Sequence, residues 1–196
     1  MDLLARARAV LIAEAEAISN LPLDNSFKEA ITSLVLLKGK LITTGIGKAG
    51  HVAQKAASTF CTTGTPSAFL HPGDASHGDV GVLSSEDILL AYSNSGRTRE
   101  ILETVEFCKK LKVRRVISIT AETSSPLAQV SDIVLKIGRI IEPCPLGLTP
   151  TASVAAMLAI GDALALVVMQ EKGITHEDFA IRHHGGYLGE KCRVAL

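Results

Sequence analysis

The sequence predicts an α/β fold, with a parallel β-sheet covered by helices on both faces. Five short runs (40–44, 66–70, 87–92, 115–120 and 132–137) are apolar and continuous. Strands buried on both faces read this way, whereas half-exposed strands alternate. Helical patterns at 48–62, 98–111 and 126–130 separate the runs. That alternation implies right-handed crossovers between parallel strands. The composition supplies a core, with 47% hydrophobic and 20% charged residues in 196 positions, the usual size of one domain.

The elements follow in order. The first residues, Met1-Asp2-Leu3-Leu4-Ala5-Arg6-Ala7-Arg8, open an Ala-rich amphipathic helix that carries Glu14 and Glu16. It has no cleavage-like end of the kind that closes a signal peptide. A second helix is expected over 24–37, capped by Asp24 or Asn25. Within 98–111, Ile101, Leu102, Val105, Cys108 and Leu111 fall at helical spacing. The apolar run 151–169 approaches the ~20 residues of a membrane span. Gly161 and Asp162 interrupt it, and a central Asp costs about 2.5–3.5 kcal/mol on insertion. A buried helix, in the core or at a subunit contact, is the expectation. A short helix is read at 177–181. No repeat, linker or low-complexity segment is visible.

Charge and composition exclude several classes. Formal net charge is +0 and no basic or acidic run occurs, which argues against a nucleic-acid or membrane-surface binder. There is no Trp, and aromatics total 4%, so base-stacking platforms are not expected. The four cysteines, Cys61, Cys108, Cys144 and Cys192, form no CxxC pair. They read as free thiols in a reducing compartment, which points to the cytoplasm.

Two loops carry chemistry. Gly45-Ile46-Gly47-Lys48-Ala49-Gly50 follows the first strand and opens a helix, matching GxGxxG. Such glycines admit positive φ and close backbone approach, and the helix start directs N–H groups at an anion. A dinucleotide site is one reading. The next strand lacks the acidic residue that would hold a ribose, since Leu70 is followed by His71 and Pro72. A packing turn is another reading, although packing does not require Lys48. The second loop, Ser93-Asn94-Ser95-Gly96-Arg97-Thr98, follows the third strand and opens another helix. Its hydroxyls at Ser93, Ser95 and Thr98, beside helix N–H groups, suit a phosphate monoester. Helix capping is the plainer use of such residues. Both loops lie at the carboxyl ends of strands, where ligands bind on parallel sheets.

Further motifs accompany these loops: His71-Pro72-Gly73-Asp74-Ala75-Ser76-His77-Gly78-Asp79, Cys144-Pro145-Leu146-Gly147-Leu148-Thr149-Pro150-Thr151, Gly161-Asp162-Ala163-Leu164 and His183-His184-Gly185-Gly186-Tyr187-Leu188-Gly189. Together with the Gly45–Gly50 and Ser93–Thr98 loops they resemble the sugar isomerase (SIS) domain of D-arabinose 5-phosphate isomerases, over nearly the whole chain. The resemblance implies a three-layer α/β/α sandwich around a five-stranded parallel sheet, usually in a homotetramer. It implies interconversion of D-ribulose 5-phosphate and D-arabinose 5-phosphate through an enediolate, without a cofactor, in a route feeding lipopolysaccharide synthesis. It places Lys48, Glu100, Glu142 and His183 among the catalytic residues, with His183 reaching a neighbouring subunit's site. It places Gly47, Ser93, Asn94, Ser95, Thr98 and His77 at the substrate and its phosphate. It also implies that zinc can bind near His71 as an inhibitor.

Most members of that family continue into a pair of CBS modules, whereas this sequence ends at Leu196. The expectation is therefore one SIS domain over 1–196, including N-terminal helices to about residue 37, with no CBS domain. Arg97 stands where many relatives carry Glu, and His184 where they carry Pro. Competing readings are another phosphosugar isomerase on the same fold, a non-catalytic sugar-phosphate sensor, and a nucleotide-dependent oxidoreductase resting on GxGxxG alone.

Overall fold

Each of the five apolar runs forms a strand in the computed structural model, which describes residues 2–187 and 189. They are β1 (Leu41–Gly45), β2 (Ser67–Phe69), β3 (Ile88–Tyr92), β4 (Arg115–Thr120) and β5 (Ile133–Lys136). All pairs are parallel, in the order β2-β1-β3-β4-β5. β1 and β3 are neighbours in register from Leu41 opposite Ile88 to Gly45 opposite Tyr92. The chain runs outward from β1 to β2, then returns across β1 to β3. Such a reversal opens a crevice beyond the carboxyl ends of the two central strands.

The helices are α1 (Leu3–Ser19), α2 (Asn25–Val35), α3 (Gly47–Thr62), α4 (Pro72–Ala75), α5 (Arg99–Lys110), α6 (Pro126–Val130), α7 (Ala152–Glu171) and α8 (His176–Arg182). Asp24 caps α2, its side chain accepting from the Ser26 N–H. Short α4 and a single 3-10 turn at Asp79–Val82 lie in a stretch the sequence marks only as loop. Four residues are too few to show a helical period.

Two cores follow from the two sheet faces. On one, Leu41, Ile88, Leu90, Tyr92, Ile117 and Ile119 meet α2, α3 and α7. On the other, Ile42, Leu89, Ala91 and Val116 meet α5 and α6 through Ile101, Val105, Cys108 and Leu127. This is the three-layer sandwich. Helix α7 has a mean hydropathy of 2.1 and the length of a membrane span, but half of that window is buried inside the protein. Residues such as Ala156, Met157, Ile160, Leu164 and Val168 make it a core helix.

Cys61, Cys108 and Cys144 are free thiols, as the sequence suggests, and Cys192 and Leu188 lie outside the described residues. Burial pushes the Cys108 thiol up to about 12, so it is an inert core residue.

Asp87 ties the beginnings of the central strands together. Its side chain is fully buried and pairs with Lys40 Nζ at 2.8 Å. Its Oδ1 accepts from the Lys40 N–H at 2.7 Å and its Oδ2 from the Ser84 N–H at 2.8 Å. Burial opposes the charge, but the bonds from Lys40 and Ser84 outweigh it, so the pKa lies below the ordinary value. A lowered folded-state pKa gives stability that is complete above about pH 4 and is lost as pH falls through that lowered value. Asp87→Asn is expected to destabilise the fold by about 1–3 kcal/mol at neutral pH. It is also expected to flatten the acid side of the stability profile. Thermal unfolding from pH 3 to 8 tests both, and parallel acid limbs in the two proteins would refute the linkage.

Candidate active site

Three helix starts meet at the carboxyl edge of β1 and β3. They enclose a cleft of about 280 Å³, lined by Ile46, Lys48 and Ala49 from α3, by 92–95, Thr98 and Ile101 around α5, and by Pro150, Ser153, Val154 and Met157 at α7. Its volume is near the low end for ligand pockets, which suits a small polar molecule.

The α3 wall depends on glycine. A Cβ on Gly45 would stand 2.7 Å from the Ala49 carbonyl oxygen, and one on Gly50 would stand 2.7 Å from the Gly45 carbonyl oxygen. These two glycines let strand and helix touch backbone to backbone. Gly47, at φ +59°, turns the chain into the helix. Lys48 follows in the first turn, exposed and lining the cleft.

The α5 wall is the loop 93–98. Ser93 is buried, and its hydroxyl lies 3.1 Å from that of Thr98 and accepts from the Gly96 N–H at 3.1 Å. The Ser95 hydroxyl accepts from the Arg97 N–H at 3.2 Å. Thr98 occupies the cap of α5 without making a side-chain cap bond. The Asn94 carbonyl accepts from the Ala121 N–H, which ties the loop to the end of β4. Gly96 has φ +61°, and a Cβ there would stand 2.0 Å from the Ser125 hydroxyl. Only glycine fits both the dihedral and the space.

Behind the α7 wall stands Glu142, which lines a separate groove beside Glu16 and Asn20 rather than the cleft itself. Its Oε2 accepts from the N–H groups of Thr151 and Ala152 at 2.8 and 2.9 Å, and its Oε1 from the Ser153 N–H at 3.2 Å. Glu142 is therefore the cap of a 20-residue helix, reached from nine residues upstream of Thr151. Burial raises its pKa, but hydrogen bonding from the Ser153 side chain and from the N–H groups of Thr151, Ser153 and Ala152 outweighs it, and the pKa sits below the ordinary value. Glu142 is thus a carboxylate at neutral pH. The sequence marks it as a loop acid but gives no sign of this cap.

The remaining candidates are more dispersed. Glu100 is exposed in the first turn of α5, between the cleft-lining Thr98 and Ile101. His77 is exposed just beyond α4 and does not line the cleft. His71 Nδ1 stands 3.7 Å from the Asp74 carboxylate, the pair that a zinc ion at His71 would meet. Among the described residues no group of three His, Cys, Asp or Glu side chains is placed to hold a metal. His183 follows α8, stacks on Phe179 with centroids 5.7 Å apart, and keeps a buried Nδ1 without a partner among the described residues. Helix α8 begins just past the far end of α7, whose start lines the cleft. Within its own chain His183 is not brought to the cleft.

Against known proteins, the profile of the SIS domain matches residues 35–167. The chain belongs to the SIS domain family. Arabinose 5-phosphate isomerase KdsD of Escherichia coli K12 is 42% identical over 191 residues, covering 96% of this chain and 58% of that protein. The chain thus spans less than two thirds of such curated relatives. Among solved structures, a Bacteroides fragilis protein assigned as a phosphosugar isomerase involved in capsule formation superposes with TM-score 0.91 and 43% identity, covering 95% of this chain and all of that one. An Escherichia coli CFT073 protein in complex with A5P gives TM-score 0.88 at 37% identity, covering 93% and 97%. This SIS domain carries its cleft at the switch between β1 and β3, and neither Tyr92 nor Ser153, both of which line it, was singled out from sequence.

The Glu142 cap is testable without any substrate. Glu142→Ala leaves the first N–H groups of α7 unpaired and is expected to lower stability by about 1–2 kcal/mol in urea unfolding. An unchanged midpoint would show that the cap contributes nothing.

Proposed function

We propose that the protein is an aldose–ketose isomerase interconverting D-ribulose 5-phosphate and D-arabinose 5-phosphate. The observation that carries the reading is the convergence of Lys48 with the hydroxyls of Ser93, Ser95 and Thr98 in one small cleft. Relatives named arabinose 5-phosphate isomerase, and a neighbour solved with A5P, support that substrate.

In this mechanism the 93–98 loop and the start of α5 hold the phosphate, with Asn94 and Gly47 at its margin. N–H groups and hydroxyls at a helix start suit a dianion. A base takes a proton from C1 of the open-chain ketose, and the electron pair enters the C1–C2 bond as the C2 carbonyl becomes an enediolate oxygen. The ammonium of Lys48 stabilises that oxygen. A proton then returns to C2, and the O1 proton is passed to O2, which leaves the aldehyde at C1 and a hydroxyl at C2. Glu100 and Glu142 are the acid–base carboxylates, and positioned groups of this kind typically contribute about 10²–10⁴-fold each. Glu142 enters ionised, held by α7. The chemistry needs no redox cofactor.

His183 acts, in this reading, from a neighbouring subunit, because its own chain holds it away from the cleft. Exposed apolar side chains on α1, among them Leu3, Leu4 and Leu11, give a homo-oligomer surface to bury. A homotetramer with shared sites is the form we infer, working in the cytoplasm, with His77 as a further substrate-binding residue.

Purified protein incubated with several ketose phosphates, each read for aldose product, tests the reaction. Turnover of ribulose 5-phosphate is expected, and turnover of a hexulose phosphate instead would sink the substrate assignment. Binding without turnover would favour a sensor. Glu100→Gln is expected to lose 10²-fold or more in kcat while still binding sugar phosphate, on the order of one acid–base contribution. Retained activity would make Glu100 merely a helix-dipole residue. Mixing inactive Lys48→Met with inactive His183→Asn protein is expected to restore part of the activity through subunit exchange. No recovery after refolding the mixture together would exclude a shared site.

A further inference from the structure

Helix α1 has 17 residues, and none of them is buried. Its inner face rests on α7, and Val10 and Glu16 flank grooves shared with Pro143. The outer face carries Leu4, Leu11 and Ile18, with 77, 66 and 42% of their surface exposed. Their seven-residue spacing puts them on one stripe of the helix, with Ala7, Arg8 and Ala15 between them. A contiguous apolar stripe left in solvent marks an interaction surface.

The charges of the helix specify the partner. Arg6 and Arg8 stand in its first half and Glu14 and Glu16 in its second, and none of the four makes an ion pair among the described residues. Turned end for end about Leu11, the helix meets itself in kind. Leu4 falls opposite Ile18, Ala7 opposite Ala15, Arg8 level with Glu14 and Arg6 level with Glu16. A parallel copy sets Arg8 beside Arg8 and Glu14 beside Glu14, and such like charges repel. The four charges also sum to zero, so the helix has no net attraction for an anionic membrane surface. Small Ala7 and Ala15 leave room for a second helix to come close.

We propose that the outer stripe of α1 pairs antiparallel with the same stripe of a second copy of this chain, about a two-fold axis at Leu11. An isologous contact of this kind closes on itself. The proposal rests on the homo-oligomer reading of the proposed function and names the surface that makes the oligomer. Helix α1 then stands between the second copy and the loop that carries Glu142.

The test uses the whole chain and reads its mass in solution by light scattering on a sizing column. Wild-type mass tests the homo-oligomer reading, and the variants test the seam. Arg6→Glu with Arg8→Glu makes an all-acidic α1, and Glu14→Arg with Glu16→Arg an all-basic one. Circular dichroism checks that each keeps its helices. Each variant alone is expected to show half the wild-type mass, and an equimolar mixture of the two is expected to regain the full mass. An oligomeric wild type whose variants keep its mass, or a mixture that stays at half, would overturn the seam and leave the homo-oligomer standing. Should a charge variant not fold, Leu11→Cys is used instead. On the two-fold axis residue 11 meets its own copy, so mild oxidation is expected to link two chains there, as mapped by mass spectrometry of the linked peptides. Leu4→Cys is expected to link to Ile18→Cys of a second chain and not to itself. Linkage of Leu4→Cys to itself would mean a parallel pair and overturn the antiparallel one, as would the lack of any link through residue 11.

Discussion

The backbone contact between Gly45 and Gly50 sets where the functional parts sit. With no Cβ on either residue, the start of α3 lies directly on the end of β1. Any side chain there would meet backbone, which cannot swing aside. The contact draws Lys48 and the free N–H groups of α3 to the sheet edge, beside the end of β3. Because β1 and β3 are neighbours whose following helices leave on opposite faces, the two helix starts flank one crevice rather than two. The cleft is a product of strand order and of two missing methyl groups.

The framework was legible because its signals are local. Continuous apolar runs and helical spacing placed all five strands and the principal helices within a few residues. The 93–98 loop was legible too, since its hydroxyls sit next to each other in the chain. GxGxxG was legible as a helix-start anion turn but ambiguous as to ligand: two of its glycines serve packing, which any ligand would require. Contacts across long sequence separation were not legible. Glu142 caps a helix that begins ten residues later, and Ser153 looks like one more residue of an apolar helix until Glu142 takes its amide. Tyr92 ends a buried strand, and nothing in its neighbours shows that its hydroxyl meets Gly161 of α7. His183 was legible only by resemblance, and its position relative to the cleft depends on the path from α7 through α8.

Tyr92 shows how closely the cleft floor is packed. Its hydroxyl is buried, and a Cβ at Gly161 would come within 2.7 Å of it. Burial, with the charge of Asp162 nearby, pushes its pKa up, so it stays a neutral phenol. Asp162 also pairs with Lys55 across the gap between α7 and α3. The pair and the glycine lie about two turns below the two helix starts that carry Lys48 and Ser153. The close approach of Gly161 to the buried Tyr92 side chain lets α7 lie directly on the sheet there.

The electrostatics give the cleft a direction. Three helix starts would make three competing anion sites, because each presents free N–H groups and partial positive charge. At α7 that charge is already answered by Glu142, which stays ionised. At α3 it is reinforced by Lys48, and at α5 it is shared between the exposed Glu100 of the first turn and the cleft side at Ser95 and Thr98. In the proposed function a dianion is therefore favoured on the α3 and α5 side and disfavoured toward α7. In that reading the phosphate end lies at the α5 loop, and the carbon chain carries its reacting oxygens past Lys48 toward the start of α7.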